Sequence, residues 1–163
     1  MTTLTPTPEG FVDVMRSLPS GVCVVTAIRE QAPAGMTASS VSALSSDPML
    51  VAVTLRPASR TLAAARSAGR FAINLMAARD AHVAQQFAGR RTGEAKYLGV
   101  SHRLHAGAPV LDDARAWLVC ALDSAQSVGD HVLVIGCVEA MRSTDFLEPP
   151  LVTHLGRLTA LAA

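Results

Sequence analysis

Aromatic side chains are scarce in this chain: 4 % of 163 residues, in a sequence that is 50 % hydrophobic. A core must therefore be built from Val, Leu, Ala and Met, with Phe11, Phe71, Phe87, Phe146 and Trp117 as isolated large pieces. Little is left over for the stacking platform on which single-stranded nucleic acid is bound. An excess of charge of one sign is lacking as well. Fourteen basic against thirteen acidic residues give a formal net charge of +1, and no basic block follows the pattern that tracks a phosphate backbone. Nucleic acid is not an expected partner. No apolar run approaches the ~18 residues of a membrane-spanning helix, so no membrane partner is expected either. Residues 1–10, MTTLTPTPEG, carry neither a basic region nor an apolar stretch, and they read as a disordered lead-in to a cytoplasmic protein rather than as a secretory signal. Cys23, Cys120 and Cys137 are odd in number, and each lies within an apolar run, which favours buried structural thiols over a disulfide or a metal site. The histidines, His82, His102, His105, His131 and His154, lack metal-ligand spacing. The glycines lack the spacing of a dinucleotide-binding turn.

What is present is a series of strand-like runs with few helices between them, of a length that fits one domain over residues 11–163. The segment EGFVDVMRSLPSG has helical period, with Phe11, Val14, Met15 and Leu18 on one face and Pro19 to Gly21 as its stop. GVCVVTA is a strand, and REQAP turns the chain into a hairpin. The stretch TASSVSALSS holds too many hydroxyls for a helix interior, because they compete for the backbone. It reads as one extended strand ended by Asp47-Pro48. MLVAVTL is continuously apolar, as in a strand buried on both faces. SRTLAAARSAG is a short helix, with Ser59 as cap and Gly69 at the left-handed end position. RFAINLM is a strand, and ARDAHVAQQFAGR a second short helix with Asp80 as cap and Gly89 as stop. Residues 90–114 are polar, with a short strand at VSHRLH. Two long strands, ARAWLVCALDSAQSV and DHVLVIGCVEAMRS, join through Gly129-Asp130, and LVTHLGRL is a final strand.

Mostly antiparallel strands with two or three short helices predict a mainly β fold, a closed or nearly closed barrel. A doubly wound sheet would need a helix after almost every strand. Read without further context, the Ser-rich stretch is the polar face of an outer strand or a hairpin shoulder, Ser59 is an ordinary cap, and His131 is a turn residue. Asn74 is a lone polar residue in an apolar strand, suited to a ligand edge or to an unpaired backbone group.

The segments GMTASS, SDPMLVAVTL, SRT at a helix start, SAGRFAINLM, QFAG, GDHVLVIGCV and PPLVTHLGRL, in this order and spacing, resemble the small flavin reductases that serve two-component flavin monooxygenases. The resemblance runs from about Phe11 to Leu158 and implies an FMN-binding split barrel of antiparallel Greek-key type. It implies an NAD(P)H:flavin oxidoreductase, with FMN or FAD and NADH or NADPH as ligands, a homodimer with flavin near the subunit interface, and a monooxygenase partner. By the same resemblance Thr37, Ala38, Ser39 and Ser40 line the flavin, where small residues let the backbone approach a flat ligand and hydroxyls donate or accept as needed. Ser59 and Thr61, with Arg56 or Arg60, take the phosphate at the start of a helix. Asn74 is a candidate for a flavin edge, and Phe87, Gly89 and Arg90 flank the ring. His131 lies on the nicotinamide side, with Asp130 orienting it and Arg157 as a further nicotinamide contact. No catalytic acid, base or nucleophile is required, because flavin accepts a hydride by its own chemistry.

The chain departs from the family at Thr153, Leu155 and Leu158, where the last strand usually carries Tyr, Arg and Tyr or Phe, and at Val41, where an aromatic often follows the serines. Two rivals therefore stand beside the reductase. One is a non-catalytic flavin-binding protein of the same fold. The other is a barrel for an unrelated small ligand such as haem.

Overall fold

The structure is a computed structural model that describes residues 5–144 and 147–161; Phe146 lies outside the described residues. Helix α1 (Pro8–Arg16) begins one residue ahead of the expected helical segment, which opens at Glu9. Pro8 sits in its first turn, and the Thr7 side chain accepts from the Gly10 amide. Its apolar stripe has the expected period, yet no residue of the helix is buried, and Phe11 is 64 % exposed. Period says that a face needs cover; it does not say that the same chain supplies it. The end of α1 is tethered by the Leu155 amide, which donates to the Arg16 carbonyl at 2.7 Å.

The strands are β1 (Ser20–Gly21), β2 (Cys23–Arg29), β3 (Ala32–Ala38), β4 (Ser42–Ser46), β5 (Met49–Leu55), β6 (Arg70–Leu75), β7 (His102–His105), β8 (Ala108–Leu111), β9 (Ala116–Val128), β10 (His131–Ser143), β11 (Leu151–His154) and β12 (Arg157–Ala160). Seven of them form one antiparallel sheet in the order β3-β2-β6-β9-β10-β5-β4. Strands β1, β11 and β12 make a second sheet, and β7 pairs with β8. Non-consecutive neighbours, such as β2 with β6 and β10 with β5, give the sheet its crossed, Greek-key connections.

One connection decides the shape of this sheet. Strands β3 and β4 are its two outer strands, yet only residues 39–41 separate them. Four steps of at most ~3.6 Å bridge about 14 Å, so the two edges must approach and the sheet must curl into a barrel. Ser40 fastens the split: its hydroxyl accepts from the Thr54 amide at 3.1 Å and donates to the Thr54 carbonyl at 3.2 Å. The hydroxyl-rich stretch is therefore not the single strand that its composition predicts. It is the end of one edge strand, a crossing and the start of the other.

The barrel interior is filled by Val25, Val53, Phe71, Ile73 and Val134, with Leu62, Ala64 and Ala65 of helix α2 (Arg60–Ala68) packed on it. Helix α2 has the expected ends: Ser59 Oγ accepts from the Leu62 amide at 3.1 Å, and Gly69 has φ +64°. Phe71, fully buried, occupies the room left by Gly136, where a Cβ would stand 2.5 Å from its ring. A second core gathers Val22, Val24, Val83 and Ala84 with the Phe87 and Tyr97 rings beneath helix α3 (Ala81–Ala88). Asp80 stands at the start of α3 but makes no capping bond. A 3-10 turn over Ala78–Asp80 precedes the helix, and one carboxyl oxygen is buried without a hydrogen bond, with Arg79 Nε 3.7 Å away. Burial raises the pKa of this carboxyl.

The expected last strand is a hairpin, β11 and β12, turning at Leu155 and Gly156 with φ of +49° and +74°. A similar turn at Ala106 and Gly107 leads into β8, which its short, proline-containing sequence did not announce. Among the described residues no helix is long and apolar enough to cross a membrane.

Cys23 and Cys120 are buried, and burial pushes each thiol up to about 12, with the charges of Cys137 and Glu139 adding to the effect at Cys120. Cys137 is half-buried on the outward face of β10. Thiolate is the reactive form, and a raised pKa keeps the two buried groups protonated at every ordinary pH. In the folded protein at pH 8, a disulfide titrant is expected to leave Cys23 and Cys120 intact until denaturant is added. Rapid reaction at all three sites would contradict the packing described.

Candidate functional site

A cleft of about 650 Å³ opens beside the split of the barrel. Its first wall is the end of β3 and the crossing, from Ala34 to Ser40. Thr37 is fixed there by donating to the Ala84 carbonyl at 2.6 Å, Ala38 is buried, and Ser39 and Ser40 are exposed. The second wall is the approach to α2, with Arg56, Ala58, Ser59, Arg60 and Thr61. The first amides of any helix lack intrahelical acceptors, so this wall presents N–H donors and the positive end of a helix dipole. Thr54 of β5 and His131 at the start of β10 stand in adjacent strands between these walls.

The third wall runs from the end of α3 through a 3-10 turn over Gly93–Lys96. Phe87 forms its buried base. The ring lies against β3, where a Cβ on Gly35 would come within 2.5 Å of Cε1, and it meets Tyr97 edge-on at 4.9 Å between centroids. Only glycine at position 35 allows that approach. The Tyr97 hydroxyl donates to the Ala34 carbonyl at 2.9 Å, and burial raises its pKa. The Gln86 amide ties α3 to the turn through the carbonyls of Lys96 and Leu98 at 2.7 and 3.0 Å. The Lys96 ammonium, on a residue only 8 % exposed, donates to the Phe87 carbonyl. Burial lowers its pKa.

The residues expected from the sequence at the crossing, at the α2 start and beyond α3 meet in this one cleft: Thr37 to Ser40, Arg56, Ser59 to Thr61, Phe87, Gly89, Arg90 and His131. Asp130 stands just outside it and holds His131, with Oδ1 2.8 Å from Nδ1. That hydrogen bond, with the imidazole's charge and Arg56 nearby, keeps the Asp130 carboxyl below its usual range. Two of the expected residues stand apart from the cleft. Asn74 is fully buried inside the barrel, where it donates to the Val24 carbonyl at 3.0 Å and to Thr26 Oγ1 at 3.1 Å and accepts from the Leu111 amide at 2.8 Å. Both N–H groups and its oxygen are engaged in joining three strands, away from the cleft. Arg157 opens β12 in the separate three-stranded sheet and does not line the cleft.

Thr54, Gly35, Arg91 and Lys96 were missed. The register of β5 on β10 carries the signal for Thr54, and Lys96 is the only lysine in the chain, next to the only tyrosine. Five cations, Arg56, Arg60, Arg90, Arg91 and Lys96, line the cleft, and no Asp or Glu among the described residues does. A donor set of backbone amides, hydroxyls and uncompensated cations, with room for a flat ring system, suits a planar phosphorylated ligand.

Residues 15–162 match the family model described as flavin reductase like domain. The chain belongs to that family. It is 37 % identical over 139 residues to a probable flavin reductase of Rhizobium meliloti, covering 84 % of this chain but only 44 % of that longer relative. It is 39 % identical over 138 residues to flavin reductase (NADPH) of Lentzea aerocolonigenes, covering 81 % of this chain and 79 % of the relative. Among solved structures, nitrilotriacetate monooxygenase component B of Mycobacterium thermoresistibile superposes with a TM-score of 0.89 at 29 % identity, covering 94 % of this chain and 86 % of that one. The split-barrel reading of the sheet is thereby borne out.

A change at Asn74 separates scaffold from site. Asn74→Ala leaves the buried Leu111 amide without its acceptor and removes the donor to Thr26 Oγ1, and is expected to lower stability by about 3 kcal/mol. Thermal denaturation reads that loss, while flavin affinity of the folded protein stays at the wild-type value. Weakened flavin binding in a folded variant would return Asn74 to the site.

Proposed function

We propose that this chain is an NAD(P)H:flavin oxidoreductase that reduces FMN or FAD and releases it to a flavin-dependent monooxygenase. The observation that carries the reading is the convergence of the hydroxyl-lined crossing, the start of α2 and a set of unpaired cations on one cleft. Similarity to a monooxygenase component B supports the partner. When bound, flavin supplies the hydride-accepting chemistry, and the protein's share is to bind, orient and exclude. Ser59, Thr61 and the amides around them hold the phosphate, assisted by Arg56 and Arg60. The crossing from Thr37 to Ser40 borders the ring, and Phe87 backs the opposite side. His131, with Nδ1 engaged by Asp130, keeps Nε2 for the nicotinamide half of the donor.

The reading includes a homodimer. On the outward face of the sheet Leu133, Ile135 and Cys137 are half-buried beside Thr54, Ala52 and Leu50, in the register of β10 on β5. This apolar face is continuous with His131 and Thr54 in the cleft. A second copy seated there brings the cleft to a subunit boundary. The non-catalytic alternative draws on the missing aromatics: Val41 and Leu158, at two of the positions concerned, are partly buried aliphatic side chains packed against the cores.

Oxidation of NADH or NADPH that depends on added FMN or FAD is the expected result in a steady-state assay. Flavin binding without any nicotinamide oxidation would favour the passive binder. At the phosphate seat, the Ser59→Ala/Thr61→Ala double variant is expected to lose FMN affinity by about tenfold or more while riboflavin, which has no phosphate, is affected little. Equal losses would reduce Ser59 to a helix cap. His131→Ala is expected to raise the KM for NAD(P)H about tenfold, with flavin affinity preserved, since the donor needs no proton removed. A fall in kcat at saturating nicotinamide would instead assign the histidine to proton transfer.

A further inference from the structure

A second hollow, a groove of about 290 Å³, lies between two hairpins and outside the cleft. Each hairpin lines it with a cross-strand pair of one aliphatic residue and one proline: Ile28 opposite Pro33 in β2 and β3, and Leu104 opposite Pro109 in β7 and β8. Proline has no N–H, so these walls are apolar and poor in donors. Leu104 is 61 % exposed, an aliphatic side chain at the groove with little cover of its own. The volume stands at the small end of ligand sites and is too small for a whole dinucleotide.

The rest of the lining is Gln31, His102 and Arg103, and among the described residues no Asp or Glu lines the groove. The turn from β2 to β3 holds Glu30 and Gln31 at φ of +51° and +67°, a left-handed pair that few residues other than glycine adopt cheaply. It brings the Gln31 amide to the groove. His102 Nδ1 lies 3.1 Å from the Val100 carbonyl oxygen, so that nitrogen carries the proton and Nε2 is left for a ligand. Asp112 pairs with Arg103 through one nitrogen, which orients the guanidinium and leaves the other donors of its fork. An apolar slot with an amide, an imidazole and a guanidinium in its lining suits a small acid whose body lies between the hairpins.

The groove and the cleft share a wall. Pro33 lines the groove and the next residue, Ala34, lines the cleft. Tyr97 joins them a second time: its hydroxyl donates to the Ala34 carbonyl at 2.9 Å, and its ring lies between His102, at 4.5 Å, and Phe87, at 4.9 Å, measured between centroids. Whatever fixes His102 in the groove therefore bears on the ring that supports the base of the cleft.

We infer that this groove binds a small carboxylate with a compact apolar body, and that its occupant tightens flavin binding in the cleft through Tyr97. The groove stands independently of the flavin reductase reading, whereas the coupling rests on that reading.

Cyclohexanecarboxylate is the probe, with cyclohexylmethanol as its uncharged analogue. Calorimetric titration of the full chain measures their binding, and quenching of flavin fluorescence measures the Kd for FMN with and without saturating carboxylate. The wild type is expected to bind the acid at one site, about tenfold more tightly than the alcohol, and to bind FMN about fivefold more tightly when the acid is present. Leu104→Trp, which fills the groove from an exposed position, is expected to abolish binding of the acid. Gln31→Gly, which suits the left-handed turn and removes the amide, is expected to weaken the acid and leave the alcohol unchanged. Absence of binding overturns the inference. So does an acid that competes with FMN and is indifferent to Leu104→Trp, since it would then sit among the cations of the cleft. An FMN Kd that stays constant or rises with the acid bound in the groove overturns the coupling. A protein that binds the acid but no flavin overturns the reductase reading, a failure distinct from the others.

Discussion

The fold depends on the three residues that carry the chain from one edge of the seven-stranded sheet to the other. A sheet whose outer strands are consecutive in sequence and so briefly connected cannot remain open, because its edges cannot be farther apart than the link can reach. Closure follows from chain length before any side chain is considered. The same link cannot pair along its whole length with either edge, and its amides and hydroxyls are left at the seam. Ser40 spends its hydroxyl on stitching that seam to Thr54. The neighbours of Ser40 become the border of a cleft. Barrel closure and the first wall of the site are one event.

Around that seam, packing and electrostatics make opposite contributions. Phe87 against Gly35 and Tyr97 against the Ala34 carbonyl fix the cleft's base with ordinary core contacts. Among the described residues the cations above form no salt bridge, and Lys96 alone among them donates a hydrogen bond, to the Phe87 carbonyl. Mutual repulsion of like charges lowers the stability of the unliganded protein, and an anionic ligand relieves it, so the site trades intrinsic stability for affinity. Asp130 illustrates the sign: hydrogen-bonded to His131 and near Arg56, it stays ionised to lower pH than a free carboxyl. It offsets charge only at the rim.

Much of this was legible in the sequence because it rests on local chemistry. Ser59 and Gly69 bound α2 where capping rules place them, and the β9–β10 hairpin turns at Gly129-Asp130 because glycine accepts the positive φ found there. What escaped was set by distant partners. Composition alone cannot show that Thr37 and Ser42 belong to opposite edges of a sheet. Asn74 reads equally as ligand or scaffold until Val24, Thr26 and Leu111 surround it. Lys96 sits in a polar stretch, where a lysine is ordinarily solvated; its burial follows from Gln86 and Phe87 drawing the turn onto α3. The terminal hairpin was missed because Leu155 takes a left-handed φ that leucine seldom adopts.

Helix α1 has nine residues, with a cap and a proline at one end, a backbone tether at the other and no buried side chain between. Helices of that length are marginal in water by themselves, since nucleation costs more than so few turns return. The barrel does not supply the missing burial, so helicity in this segment is a variable separate from barrel stability. It melts at lower temperature than the strands, and its amides exchange with solvent first. Covering Phe11, Val14 and Met15 by another surface would raise helix content and bury apolar area in the same step, so for this element folding and association are a single equilibrium.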